Sequence, residues 1–165
     1  MTDESEEEIG IDDAAVPNAP EVGMLPPMRF ALFLAGGIFI DWLIPINFGS
    51  GWGWFGLLLV IGALAFGKWA IETFKRAGTN VPPNKPATKI VSDGPFKYSR
   101  NPMYLSFLVM YVGLAMLADA PLMLFLTGGL WYVLDQQVIE KEEEYLTAKF
   151  GDQYLSYCDR VRRWV

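Results

Sequence analysis

Two polar segments of the chain hold the residues that could do chemistry. In the first, "SDGPFKYSRNPMYLSF" (residues 92–107), Arg100 and Asn101 stand directly before a long apolar run. Pro102 is favourable in the first turn of a helix, so these two side chains are predicted at a helix N-terminus. Helix N-termini attract anions, and an arginine adds a bidentate donor for a carboxylate or phosphate. A second interpretation stays open, in which Arg100 only contacts lipid phosphates and fixes the orientation of the helix.

The second segment is the acidic run of residues 140–144, "EKEEE". At about 100° per residue, Glu142 shares a helix face with Val138 and Tyr145, whereas the other acids point away from that face. Glu142 is therefore the acid expected to turn inward and face a cationic ligand held by the first segment. Its neighbour Glu143 stays possible in that role.

The residue types that are missing narrow the chemistry. The chain contains no histidine and a single cysteine, Cys158. The usual general base is thus absent, no intrachain disulfide can form, and no metal site is expected. Any acid–base work must fall to carboxylates, tyrosines, lysines or the substrate.

Four apolar spans must position the two polar segments. They cover residues 30–48, 52–74, 102–118 and 120–139. Each is close to the roughly 17–25 residues that a helix needs to cross a bilayer, and none shows the alternation of barrel strands. The sequence therefore predicts an all-α polytopic membrane protein with four transmembrane helices, a cytoplasmic loop and C-terminal surface helices.

The charge distribution predicts the orientation and the domain limits. Of 13 basic residues, 11 lie in residues 75–100 or after residue 140, so that side and both termini are predicted to be cytoplasmic. Residues 1–21 hold eight acids and no base, and residues 1–27 are predicted to form a disordered acidic tail. Residues 28–165 are predicted to form the membrane domain. Its end, residues 152–165, mixes aromatic and basic side chains and is predicted to anchor on the membrane surface.

The two polar segments together resemble a known family. "GPFKYSRNPMY" (residues 94–104), a hydrophobic hairpin and "EEEYLTAKFGDQYLSY" (residues 142–157) are similar to the isoprenylcysteine carboxyl methyltransferase and phospholipid methyltransferase superfamily of integral membrane enzymes. The resemblance covers about residues 72–163. It implies a membrane methyltransferase domain that transfers a methyl group from S-adenosylmethionine to a lipid or other lipophilic acceptor at the cytoplasmic membrane surface, without a nucleic-acid partner.

The resemblance also implies roles for particular residues. Catalytic roles fall to Glu142 and Arg100. The cofactor-binding positions are Gly94, Pro95, Phe96, Tyr98, Arg100, Asn101, Pro102, Tyr104, Glu142 and Glu143. Many family members have histidine where this chain has Asn101, and an amide cannot shuttle protons. Isoprenylcysteine enzymes also carry an arginine near the place of Gln137, so a carboxylate acceptor is less favoured, although carboxylate, amine and thiol acceptors all stay open.

Two other functions are compatible with the sequence. Membrane sterol reductases share a similar carboxyl-terminal hairpin and use NADPH, but this chain has no nucleotide-binding glycine motif. A non-catalytic membrane protein that binds partners through its acidic tail is the other alternative.

Overall fold

The computed structural model describes residues 19–49 and 51–165, and within them the protein contains helices and no strand, which confirms the all-α class. The α-helices are α1 (Pro26–Leu43), α2 (Gly53–Ala77), α3 (Pro102–Leu117), α4 (Pro121–Leu134), α5 (Glu140–Phe150) and α6 (Asp152–Cys158). A 3₁₀ turn covers Gly94–Lys97, and a π-helical segment, Asp135–Ile139, joins α4 to α5 without a break.

Proline and glycine define several helix ends. Pro102 and Pro121 open α3 and α4, where a missing N–H costs no hydrogen bond. Gly151, at a φ of 51°, ends α5 and turns the chain into α6. Helix α1 stops at Leu43, short of the predicted end at residue 48, because Pro45 disfavours helical backbone at the preceding residue.

Two helices are long and apolar enough to cross a membrane: α2, and the continuous helix Pro121–Phe150. Helix α3 is also apolar but has only 16 residues. Large apolar side chains cover the outer surfaces of these helices and of α1; examples are Trp42, Trp54, Leu58, Ile61 and Phe125. The four-span topology stays a prediction, because α1 and α3 are not among the helices that are both long enough and apolar enough to cross a membrane.

Glycines bring α2 and α3 into close antiparallel contact. A Cβ added to Gly56 would lie 2.5 Å from the backbone nitrogen of Leu117 and 2.6 Å from the carbonyl oxygen of Gly113. Further along, a Cβ on Gly67 would lie 2.7 Å from the hydroxyl of Ser106. Close backbone approach through small residues is how helices pack when water supplies no driving force between them.

The remaining contacts place α4 between α3 and α1. The hydroxyl of Tyr111 on α3 donates to the carbonyl of Phe33 on α1 at 2.9 Å, and Gly129 on α4 packs against the Phe33 ring. The fully buried side chains of this core include Tyr111, Met123, Leu130 and Leu134. Because successive helices run antiparallel, the C-terminus of α2, the N-terminus of α3 and the start of α5 all lie at one end of the protein.

The chain before α1 packs against this end. Val22 is buried in the core, and the guanidinium of Arg29 donates to the carbonyls of Val22 and Met24 and to the side chain of Gln137. Most of the predicted acidic tail, residues 1–18, lies outside the described residues.

Candidate active site

A cavity of about 110 Å³ opens at the polar end of the protein, between residues 79–91, the N-terminus of α3 and the inner face of α5. Its apolar wall includes Phe74, Ile90, Val91 and Met103. The charged residues that line it are Lys85, Lys89, Arg100, Glu142 and Glu143. An apolar cavity with a few convergent polar groups is the usual form of a small-molecule site.

The Gly-Pro-Phe turn fixes one wall of the cavity onto α2. Gly94 has a φ of 58°, and a Cβ there would lie 2.9 Å from the hydroxyl of Thr73, so glycine is needed for both backbone and space. Phe96 stacks on Phe74 with ring centroids 4.6 Å apart. The hydroxyl of Tyr157, on α6, donates to the Phe96 carbonyl at 2.8 Å. The turn therefore links α2, α6 and the cavity.

Glu142 is a half-buried carboxylate that no cation of the described residues neutralises. The hydroxyl of Tyr104 donates to its Oε1 at 2.5 Å, and no lysine or arginine of the described chain lies within ion-pair distance of it. Glu142 lies beyond the predicted apolar span that ends at residue 139. Burial raises the pKa of its carboxyl to about 7; the Tyr104 hydrogen bond lowers this pKa, and the charge of Glu143 raises it.

Glu143 has the opposite surroundings. Its Oε1 accepts from Nη2 of Arg100 at 2.7 Å, and its Oε2 accepts from Nη2 of Arg163 at 2.6 Å. Arg163 also donates from Nη1 to Oδ2 of Asp135 at 3.2 Å, and the carboxylate partners raise the pKa of its guanidinium. The indole N–H of Trp164 donates to the other oxygen of Asp135 at 2.9 Å. These five residues form one connected set of ion pairs and hydrogen bonds around Glu143 and Asp135.

The C-terminal segment, residues 159–165, is bound to the site by its backbone. The backbone N–H of Arg100 donates to the carbonyl of Arg162 at 3.0 Å, and the side-chain amide of Asn101 donates to the carbonyl of Arg163 at 3.1 Å. The hydroxyl of Ser99 also donates to the Arg163 carbonyl. The expectation that this segment only anchors on the membrane surface missed its place in the site.

Most of the predicted site residues converge on the cavity. Those that line it are Phe96, Arg100, Asn101, Pro102, Tyr104, Glu142 and Glu143. Gly94, Pro95 and Tyr98 are not part of its lining. Pro95 is buried beneath the turn, whereas the Tyr98 side chain is 67% exposed to solvent.

The structure brings both acids of the pair to the cavity, with different partners. Glu140 and Glu144 are exposed, as the helix geometry predicts, but Glu143 lies at the border of the buried face and is pulled inward by two arginines. Sequence reasoning missed Asp135 and Arg163. A usable signal was present, since a lone acid inside an apolar span requires a partner.

The arrangement can hold a small molecule that carries both charges. Nε of Arg100 is buried and has no hydrogen-bond partner among the described residues. Such a donor costs free energy unless a ligand or water satisfies it. Glu142 supplies an acceptor for a cation in the same cavity. No group of three or more potential metal ligands occurs among the described residues.

Comparisons with known proteins show a similarity to methyltransferases. The sequence pattern of the family described as phospholipid methyltransferase matches residues 52–153, more than half of the chain. Protein-S-isoprenylcysteine O-methyltransferase B of Arabidopsis thaliana is 30% identical over 109 residues, which are 65% of this chain and 55% of that protein.

Two further relatives match shorter stretches. The protein-S-isoprenylcysteine O-methyltransferase of Schizosaccharomyces pombe is 33% identical over 72 residues, covering 44% of this chain and 30% of that protein. An uncharacterized protein of Haemophilus influenzae is 52% identical over 33 residues, covering 20% of this chain and 52% of its own length. The chain thus spans about half the length, or less, of these relatives.

Proposed function

The chain belongs to the phospholipid methyltransferase family, and from this membership we propose that it transfers a methyl group from S-adenosylmethionine to a lipophilic, membrane-borne acceptor at the cytoplasmic membrane surface. The observation that carries the proposal is the pairing, in one cavity, of a carboxylate without a cation and a buried guanidinium N–H without an acceptor. S-adenosylmethionine offers the complementary groups, an ammonium and a sulfonium beside a carboxylate.

The residues of the cavity fit this donor group by group. Glu142 would hold the cationic part, because an uncompensated buried carboxylate gains most from a positive partner. Nε of Arg100 would donate to the donor's carboxylate, close to the N-terminus of α3, where unpaired backbone N–H groups favour negative charge. Phe96, Ile90 and Val91 provide an apolar surface for the remainder. When bound, the donor supplies a methyl group that is electrophilic because it is attached to a sulfonium.

The size of the cavity indicates that the loop moves. Ligand pockets typically measure about 300–1,000 Å³, whereas this one measures about 110 Å³. We therefore expect residues 79–91 to shift outward when the donor binds. Their three prolines, Pro82, Pro83 and Pro86, favour movement as a stiff unit, because proline restricts the backbone.

The mechanism requires positioning more than strong acid–base catalysis. Methyl transfer is an in-line displacement in which charge disperses, so holding donor and acceptor in line and excluding water provide most of the acceleration. Arg100 and Glu142 would orient the donor, and the Phe74–Phe96 stack would exclude water on one side. Where the acceptor carries a proton, Glu142, hydrogen-bonded to Tyr104, can take that proton on its carboxylate.

We further propose that all four helices α1 to α4 cross the membrane, with both termini and the cavity on the cytoplasmic side. Their antiparallel order and the exposed apolar surfaces of α1, α2 and α4 support this topology. Gly36, Gly62 and Gly128 face open space, where an acceptor chain could lie against a helix from the side.

The test combines ligand binding with turnover. Purified protein in detergent should bind S-adenosylhomocysteine in isothermal titration and should not bind NADPH, and native membranes should incorporate radiolabelled methyl groups into a lipid that mass spectrometry identifies. NADPH binding would instead favour the reductase alternative. Absence of binding to both ligands, with activity lost on deletion of residues 1–23, would favour a non-catalytic interaction protein.

A further inference from the structure

Arg163 connects two acids at the site without lining the cavity itself. Its Nη2 and Nε donate to the two oxygens of Glu143, at 2.6 Å and 3.3 Å, and its Nη1 donates to Asp135 at 3.2 Å. All three nitrogens of one guanidinium are therefore engaged. Since Arg163 does not line the cavity, its effect on a ligand would have to pass through Glu143.

The position of Asp135 explains why this contact is needed. Asp135 is buried, 7% exposed, in the π-helical segment that follows the apolar helix α4. Its oxygens accept from Arg163 and Trp164, both supplied by the C-terminal segment, and from Gln136. An acid at such a place is costly unless it is paired. Asp135 thus fixes the guanidinium of Arg163 at the depth where it also meets Glu143.

The contact between Arg163 and Glu143 also determines how the guanidinium of Arg100 pairs with Glu143. Glu143 receives one oxygen contact from Arg100 and a two-nitrogen contact from Arg163. Arg100 consequently donates to Glu143 through Nη2 alone, its Nη1 donates to the carbonyl of Cys158 at 3.5 Å, and its Nε stays buried without an acceptor. If Arg163 were absent, both oxygens of Glu143 would be available to Arg100, whose guanidinium favours bidentate pairing with a carboxylate. That rotation would use the N–H that is otherwise unpaired.

We propose that Arg163 is a positioning residue for the methyl donor: by occupying Glu143 and Asp135 it keeps Arg100 in the orientation that binds the donor's carboxylate. The inference rests on the proposed function for the identity of the ligand. Its structural part, the competition of two arginines for Glu143, does not depend on that function.

Lysine is the informative replacement at this position. It keeps the positive charge, so Asp135 and Glu143 stay partly neutralised and the fold is maintained. It cannot make the three directed contacts of the guanidinium, so Arg100 is released to pair more fully with Glu143. Arg160 offers a matched control, because it is exposed and its Nε donates to the carbonyl of Ser156 within α6.

The first experiment compares Arg163→Lys with Arg160→Lys in the full chain. For Arg163→Lys we expect S-adenosylhomocysteine to bind at least about tenfold more weakly and the donor KM to rise as much, while the acceptor KM and the melting temperature stay near wild type. Arg160→Lys should match wild type in each measurement. Equal donor affinity in wild type and Arg163→Lys would overturn the proposal. A loss of donor binding in Arg163→Lys that only matches its smaller fraction of folded protein would also overturn it.

A second experiment needs no ligand. A double-mutant cycle of Arg100→Gln and Arg163→Gln measures the unfolding midpoint of the ligand-free protein in detergent. Because both arginines act on Glu143, the two losses should be clearly non-additive. Additive losses would overturn the proposal even if wild-type protein bound no donor. The two proposals can fail separately. If the losses are non-additive but the wild-type protein neither binds S-adenosylhomocysteine nor transfers methyl groups, the competition for Glu143 is supported and the proposed function is refuted.

Discussion

The helical body of the protein, α1 to α4, and its polar end, residues 78–101 with 135–165, are held together by different forces. In the body, contacts are made by glycines and apolar side chains, such as Gly56 against Gly113. At the polar end they are made by charged and hydrogen-bonding groups, with Glu143 at the centre. The contrast indicates that changes in the body should alter stability, whereas changes at the polar end should alter ligand binding and turnover.

Within the polar end, the adjacent acids Glu142 and Glu143 differ in the groups that compensate their charge. Glu143 is compensated by two arginines, whereas Glu142 has only the hydroxyl of Tyr104 as its hydrogen-bond partner in the described structure. A compensated carboxylate is structural, and an uncompensated one is available for a ligand. Helix periodicity distinguishes the faces of the two acids, but it does not show that two arginines compensate Glu143 and leave Glu142 uncompensated.

The largest effect is expected from Glu142→Gln. The amide keeps the shape of the side chain and can accept from Tyr104, but it carries no charge for a cation, so turnover should fall at least about 10²-fold. Initial rates of methyl transfer measure this. Glu140→Gln, on the exposed side of the same helix, is the control and should keep wild-type activity.

The same variant has a predicted effect on stability. The pKa of Glu142 is raised from 4.5 in the unfolded state to about 7, so the folded state binds this proton more tightly. Wild-type stability should therefore fall as pH rises from 4.5 through about 7, and Glu142→Gln should remove that decline. A wild-type melting temperature that rises across this range because of Glu142 would contradict the separation of the two acids.

An intermediate effect, confined to stability, is expected in the body. Gly56→Ala would place a Cβ 2.5 Å from backbone atoms of α3, and the overpacking should cost about 1–3 kcal/mol. Gly62→Ala meets nothing within 4 Å and should be neutral or stabilising by up to about 1 kcal/mol. Thermal unfolding in detergent measures both. If Gly56→Ala lowered turnover per folded molecule more than it lowered stability, the division between body and polar end would be wrong.

The smallest effect is expected from Tyr104→Phe. In the wild type, the hydrogen bond from Tyr104 lowers the pKa of Glu142. The variant lacks this bond, so the pKa of Glu142 should rise further and the pH midpoint of donor binding should move upward by about one unit. The variant leaves the other titratable groups of the cavity lining unchanged; these are Lys85, Lys89, Arg100, Glu143, Tyr145, Tyr154 and Tyr157. Tyr111→Phe, which removes a hydroxyl in the helical body, is the control. Identical pH profiles for the two variants would show that Tyr104 does not act on Glu142.

Local chemistry made part of the fold predictable. Pro102 and Pro121 define the starts of α3 and α4, and Gly151 defines the end of α5, because each residue restricts or permits particular backbone angles. The end of α1 was misjudged because hydropathy continues past Pro45, although the helix does not. Neither could the sequence distinguish Gly36, which faces open space, from Gly37, which packs against Tyr111 and Met123.

Those parts of the site that depend on the periodicity of a single helix were predictable from the sequence. Contacts between residues far apart in the chain were not. Helix periodicity suffices to place Glu142 on the face of Val138 and Tyr145, both of which are buried. Nothing local in residues 159–165 shows that Arg163 returns to Asp135, because that contact joins residues 28 positions apart through the turn at Gly151.

The most direct test of the central claim counts protons. We claim that Glu142 is the uncompensated acid that receives the ammonium of the donor, so binding should lower its pKa and release a proton near pH 6, where a pKa of about 7 keeps it largely protonated. Calorimetric titration with S-adenosylhomocysteine, in two buffers of different ionisation enthalpy, measures that release. We predict a clear fractional release for wild type and Glu140→Gln, and none for Glu142→Gln with weaker binding. Equal affinity and equal proton release in wild type and Glu142→Gln would contradict the account.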